Sequence, residues 1–249
     1  MANQDTTSQH IVSAYGEELA ELNNLVLRLG GLVEVQIENA LRAISMRDSN
    51  TAENVISNDR QLDDLEEQIN DRAVRVLAKR QPMAGDLRVI VSSIKIAGDL
   101  ERMGDYAKNI AKRSLVISQS PPITSVRALP RMIELVQKML ANVLSAYVEQ
   151  DPASCRQVWM ADQEVDELYN SLFRELLTYM MEDPRNITAA THLLFVAKNV
   201  ERMGDLVTNI AERVHFTATG TQLEDDRPKA DVTSLSDETG PSVEAPEDA

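Results

Sequence analysis

Apolar positions recur along the chain at helical spacing in six long runs, and the runs fall into two sets of three. The first carries Leu19, Leu22, Leu25, Val26, Leu29, Leu32, Val33, Ile37, Leu41 and Ile44, a helix-period series running from His10 to about Arg47. Gly30 and Gly31 interrupt it. Each costs about 1 kcal/mol in a helix interior, so close packing against another helix is expected of them. Asp48-Ser49-Asn50 supplies a turn and a cap, and a second helix follows through Val55, Leu62, Leu65, Ile69, Val76 and Leu77 until Pro82 stops it. The third runs from about Asp86 to Ser118, and Pro121, Pro122 and Pro130 mark a linker.

The second half repeats this plan. A helix spans about Leu135 to Glu149, Asp151-Pro152 opens the next, which ends near Glu182 before Pro184, and the last covers about Asn186 to Phe216. Asp48 pairs with Asp151, Val55 with Val158 and Leu65 with Leu168 at an offset of 103, whereas the third helices align at an offset of 100. A three-residue length difference therefore falls between the second and third helices. The expected fold is all-α: two tandem three-helix bundles related by a pseudo-twofold, at 10–119 and 124–216. Residues 1–9 are polar and expected to fray. Residues 217–249 hold nine acids against Arg227 and Lys229, the composition of a disordered acidic tail.

The third helices carry the chemistry. Ala97–Arg113 reads AGDLERMGDYAKNIAKR and Ala197–Arg213 reads AKNVERMGDLVTNIAER. Each is an E-x-x-x-D-x-x-x-N ladder, Glu101, Asp105, Asn109 and Glu201, Asp205, Asn209, rising along one helical stripe. Glu101 stands seven residues after Ile94 and Glu201 seven after Leu194, so the acids continue or border an apolar face. The second helices add Asp59 with Asp63, and Asp162 with Asp166, again four apart. Carboxylates gathered beside an apolar face must be protonated, paired with Arg or Lys, or bound to a metal ion. All-oxygen donors suit hard cations such as Mg²⁺, Mn²⁺ or iron; the alternative is a network with Arg102, Arg113, Arg202 and Arg213.

Charge and composition exclude much else. A formal charge of −15 leaves no cationic excess for general nucleic-acid binding. Cys155, the single cysteine, rules out an intramolecular disulfide and a multi-cysteine zinc site. No apolar run of about 18 residues exists, and the polar start MANQDTTSQH lacks a leader pattern, so a cytoplasmic protein is expected. Glu212-Arg213-Val214-His215 has no counterpart in the first unit, where Lys112 and Leu115 stand, which excludes a di-iron carboxylate bundle. His192 and His215 read as an interface and a helix-end histidine. No phosphate loop or nucleophile–base pair is present. Arg75, Lys79, Arg80 and Arg88 make one end of the first unit basic where the second reads Met-Met-Glu-Asp-Pro, a candidate partner-binding segment.

The two E-R-M-G-D-x-x-x-N-I copies, with AKRQPMAGDLR at 78–88 and LTYMMEDPRNI at 177–187, closely resemble the PhoU family, the phosphate-specific transport system accessory proteins. The likeness runs from about residue 10 to 216 and leaves the tail outside. It implies two three-helix bundles and a non-enzymatic cytoplasmic negative regulator of the phosphate-starvation response. Such a regulator connects the phosphate ABC transporter, through its ATPase, with a phosphate-sensing histidine kinase. A homodimer, peripheral to membrane complexes, is expected. Some members bind iron or other metal clusters through E(D)-x-x-x-D motifs, which assigns Asp59, Asp63, Glu101, Asp105, Asn109, Asp162, Asp166, Glu201, Asp205 and Asn209 as metal ligands. Two other readings are an oxygen-ligated iron protein with a redox or phosphatase role, and a purely structural helical repeat.

Overall fold

The structure is a computed structural model describing residues 2–121 and 128–223, with side chains from Tyr15 onward. The helices are α1 (Ala2–Met46), α2 (Ser49–Asn58), α3 (Arg60–Arg80), α4 (Ala84–Ile117), α5 (Ala128–Glu149), α6 (Pro152–Glu182) and α7 (Ile187–Thr219), with one 3-10 turn at Pro184–Asn186. Four of these bounds differ from expectation, and the first is α5, which begins at Ala128 and not near Leu135, so that Pro130 lies in its first turn and not in a linker. Helix α1 starts at Ala2, inside the stretch expected to fray. The second helix of the first unit is broken at Asp59, although its dihedrals (φ −53°, ψ −39°) stay helical; its counterpart α6 runs unbroken through Asp162. Helix α7 continues three residues into the stretch read as tail and stops where Gly220 adopts φ 78° and donates to the Phe216 carbonyl. Pro122 and the acidic residues from Glu224 onward lie outside the described residues.

The duplication extends to the turns. Arg47 and Gln150, 103 apart, both take positive φ (54° and 52°) and end the first helix of each unit. Asp48 then accepts from the Asn50 and Thr51 amides at 3.0 and 3.2 Å, and Asp151 accepts from the Ala153 amide at 2.9 Å. Thr51 and Ser154 each add a hydroxyl bond of 2.6 Å to the capping carboxylate. A cap of this kind is worth about 1 kcal/mol. The three-residue difference lies around the next connection: Gln81, Pro82 and Met83 separate α3 from α4, while α6 ends one position earlier than α3 at the 103 offset and Asp183 alone separates it from the 3-10 turn.

Helices α1, α2, α3 and α4 form one bundle, and α5, α6 and α7 the other. They meet through the equivalent pairs α4 with α7 and α1 with α5, as a pseudo-twofold requires. Buried Leu, Ile, Val, Met and Ala from both bundles form one contiguous cluster. The close approach at α1 and α5 explains half of the glycine pair. A β-carbon on Gly30 would sit 2.7 Å from Leu144 Cδ1, whereas one on Gly31 would meet nothing within 4 Å. Across the same seam Tyr147 Oη donates to Asn23 Oδ1 at 2.7 Å and lies 3.1 Å from Ser93 Oγ.

Candidate functional site: two carboxylate clusters and a cavity between bundles

The α3–α4 and α6–α7 pairings bring the ladder acids beside the second-helix acids. In the first unit Asp59 is buried, Glu101 and Asp105 are half-buried, and Asp63 is exposed. Burial pushes the Glu101 carboxyl above its usual range, and Asp105, Asp63, Glu66 and Asp59 push it further. The Asp63 carboxyl is raised as well, by burial and then by Asp59, against an opposing pull from Lys108. Five acids therefore share one field. In the second unit Asp162, Asp166 and Glu201 are buried and Asp205 half-buried. Burial dominates again in raising Glu201, with Asp205 and Asp166 adding to it.

Lysines, and not the arginines at 102, 113, 202 and 213, supply the cation. The Lys108 ammonium donates to Asp59 Oδ2 and, at 3.2 Å, to Asp105 Oδ1, and these contacts raise its own pKa, the bond to Asp59 most. Lys198 donates to Glu201 Oε1 at 2.8 Å. These lysines occupy non-equivalent positions, since Thr208 stands where Lys108 would repeat and Gly98 where Lys198 would. Arg102 and Arg202 are exposed. Arg213 reaches instead across the seam to Asp99 of α4. Arg113 lies over the Phe195 ring with its guanidinium carbon 4.1 Å from the centroid, and its Nη1 is 3.4 Å from His192 Nδ1. His215 Nδ1 is at the helix end, 3.2 Å from the Thr221 carbonyl.

Does this arrangement suit a metal ion? The donor chemistry fits a hard cation: oxygen ligands, among them Asp63, Glu101 and Glu201 with carboxyls raised chiefly by burial, and Glu201 Oε2 buried with no hydrogen-bond partner. The spacing is looser. Among the described residues no three acidic, histidine or cysteine side chains stand close enough to hold one ion. Asn109 is exposed, and Asn209 lines a cavity between α4 and α7. A signal that sequence reading passed over is the glycine within each E-R-M-G-D. A β-carbon on Gly104 would run into Leu62, and one on Gly204 would come within 2.6 Å of Asp162 Oδ1, so glycine sets how closely each ladder approaches the neighbouring helix.

The predicted basic segment is divided. Arg80 forks onto Glu18 at 2.9 and 3.2 Å, and Arg72 pairs with Glu21, so both tie α3 to α1. Arg75 meets Asp71 at 3.6 Å with both side chains exposed, and Lys79 is exposed. Arg88 turns away from these into the α4–α7 cavity, where its guanidinium carbon lies 5.9 Å from the Phe216 ring centroid. Cys155 is buried and free, its thiol pushed up to about 11 chiefly by burial.

Residues 26–114 and 129–214 match the family described as the PhoU domain, one match per unit. A phosphate-specific transport system accessory protein PhoU homolog of Caulobacter vibrioides is 51% identical over 228 residues, covering 91% of this chain and 99% of that one. The homolog from Rhizobium meliloti is 50% identical over 226 residues, covering 90% and 95%. The crystal structure of PhoU from Pseudomonas aeruginosa superposes with a TM-score of 0.80 at 38% identity, over 83% of this chain and all of that one. The phosphate transport system regulatory protein PhoU from Streptococcus pneumoniae gives 0.78 at 30% identity, over 85% of this chain and all of that one. With both halves matched, relatives aligned nearly end to end and the two-bundle architecture shared, the chain belongs to the PhoU family.

Proposed function

We propose that this protein is a non-enzymatic cytoplasmic adaptor that holds the phosphate-starvation response and phosphate uptake down when phosphate is plentiful. It would do so by coupling the phosphate ABC transporter to a sensor histidine kinase. The observation that carries this reading is the match over nearly the whole helical body to proteins named as phosphate transport accessory and regulatory proteins. Surface chemistry supports it. Met83, just before α4, and Leu87 and Val91 on it form an exposed apolar stripe, and Ile187 and Phe195 are about half exposed on the equivalent part of α7. Related but chemically different faces on two pseudo-equivalent helices suit a protein that meets two partners. Among the described residues no helix is long and apolar enough to cross a membrane, so contact with the transporter would be peripheral. The mechanism is differential binding: the adaptor favours the inactive signalling state and shifts its population.

The carboxylate clusters are proposed as cation sites. Asp59, Asp63, Glu101 and Asp105 in one unit, and Asp162, Asp166, Glu201 and Asp205 in the other, would hold a divalent ion or iron after their lysine yields. The ion would supply positive charge fixing each helix pair. The deciding experiment is a phosphate-starvation reporter in cells depleted of this protein and grown in high phosphate. The reporter is expected to switch on; a reporter that stays off overturns the regulatory reading.

A further inference from the structure

A cavity of about 570 Å³ opens between the N-terminal half of α4 and the C-terminal half of α7, and its chemistry is not used by the carboxylate clusters. Arg88 and Lys95 line it from α4, seven residues apart, which is about 10 Å along a helix. Neither forms an ion pair with any described residue, and Arg88 Nε is buried with no hydrogen-bond partner. Ser92, also in the wall and buried, lies 3.0 Å from Thr217 Oγ1, whose own proton goes to the Arg213 carbonyl at 2.8 Å. The Asn209 side-chain amide adds a further donor. Leu87, Val91 and Phe216 complete an apolar wall. The acids nearby are occupied: Asp99 binds Arg213, and Glu212 accepts from Trp159 Nε1 at 3.2 Å.

The pseudo-equivalent slot shows that this is not a by-product of the fold. At an offset of 100, Arg88 becomes Thr188, Lys95 becomes Phe195, and Phe216 corresponds to Val116. There Phe195, about half exposed, lies under the Arg113 guanidinium. One of two equivalent seams thus carries an aromatic ring under an arginine, while the other opens into a cavity lined by two cations with no ion-pair partner among the described residues.

We propose that the α4–α7 cavity binds a small organic polyphosphate of the nucleoside di- or triphosphate class. Arg88 and Lys95 would take the phosphoryl oxygens, with the Asn209 amide donating beside them. The apolar body would lie against Phe216, Leu87 and Val91. The volume is that of a site for a drug-sized ligand, far larger than one phosphate needs, and two cations carried two helical turns apart suit an elongated anion. As an input for phosphate status the site rests on the adaptor reading; binding itself does not.

The test is calorimetric titration of the full chain, without added metal, against ATP, ADP, inorganic phosphate and adenosine. ATP and ADP are expected to bind well below millimolar, with phosphate and adenosine each at least tenfold weaker. Lys95→Gln, at an exposed position, and Arg88→Gln are each expected to weaken ADP by about tenfold or more, with melting unchanged for Lys95→Gln. Absence of nucleotide binding overturns the proposal, as does Lys95→Gln binding ADP like the parent. Binding of phosphatidylglycerol vesicles or an acidic peptide in place of nucleotide also overturns it. Because the assay uses purified protein, a negative result leaves the reporter outcome untouched.

Discussion

Replacing Lys108, on α4, with Met removes one ammonium and keeps an unbranched apolar side chain of similar length. In the parent, Lys108 bridges Asp59, whose side chain is 8% exposed, and Asp105, which is 47% exposed; Lys108 itself is 27% exposed. Breaking a fully buried pair costs about 3–5 kcal/mol, and losing an exposed pair about 0–1. With one buried carboxylate and a quarter-exposed ammonium, the loss should be about 2–3 kcal/mol, nearly all of it from stranding Asp59. At about 2–4 °C per kcal/mol for a chain of this size, melting should fall by about 4–12 °C. Partnering raises the Lys108 pKa above its ordinary 10.5. Its contribution is therefore complete below that ordinary value and lost only as pH climbs through the higher folded one. The gap between parent and variant should stay flat from pH 7 to 9 in urea unfolding followed by circular dichroism. A loss under about 1 kcal/mol, or a gap that closes inside that range, refutes the assignment of Lys108 as the resident counter-ion. Millimolar Mg²⁺ or Mn²⁺ should recover part of the loss in the variant and stabilise the parent less, because the ion no longer competes with the ammonium.

Gly204→Ala should destabilise by about 1–3 kcal/mol, since its β-carbon would stand 2.6 Å from Asp162 Oδ1. Gly31→Ala, with open space around it, should stabilise by about 0.5–1 kcal/mol; thermal melts of the two variants read both signs. Glu201→Gln removes a carboxyl whose folded pKa is raised by burial. The parent should therefore gain stability relative to this variant as pH falls from 7 through the raised value toward the ordinary 4.5, which denaturation across that range will show. Cys155, buried and with its thiol near 11, should react with a disulfide reagent at pH 8 only as fast as the protein opens, so the labelling rate should follow unfolding and not reagent concentration.

Periodicity was enough for the helices because each buries a stripe that no other spacing could produce, and the 103-residue echo of Asp48 in Asp151 marked the same cap twice. The break at Asp59 was not legible, since nothing local separates it from Asp162; the two differ in their surroundings, with Lys108 drawn onto one and Gly204 packed against the other. Both clusters were legible as oxygen ladders, but their counter-ions were not. The arginines drew attention because the repeat preserves them. Yet a residue preserved in both copies can serve the seam between bundles, as Arg113 and Arg213 do. The lysines that meet the acids are the positions where the copies differ.

That difference bears on how a duplicated site keeps its charge in balance. If each unit needed only its inherited acids and an ion from solution, nothing would require a lysine near either ladder. One lysine at a shared position would look like simple inheritance. Instead the two units reach a similar contact from opposite sides of the glutamate, Lys108 seven residues after Glu101 and Lys198 three before Glu201. Both spacings return to the acid stripe, about two turns and one turn away. The constraint is therefore on charge in the cluster and not on the identity of one residue. Burial sharpens it: the more deeply buried glutamate, Glu201, has its lysine bonded to it directly, while half-buried Glu101 shares a field with a lysine bonded to Asp59 and Asp105. A cation added to either cluster must displace an ammonium already held, so affinity at the two sites should differ with the depth of the acid each lysine guards.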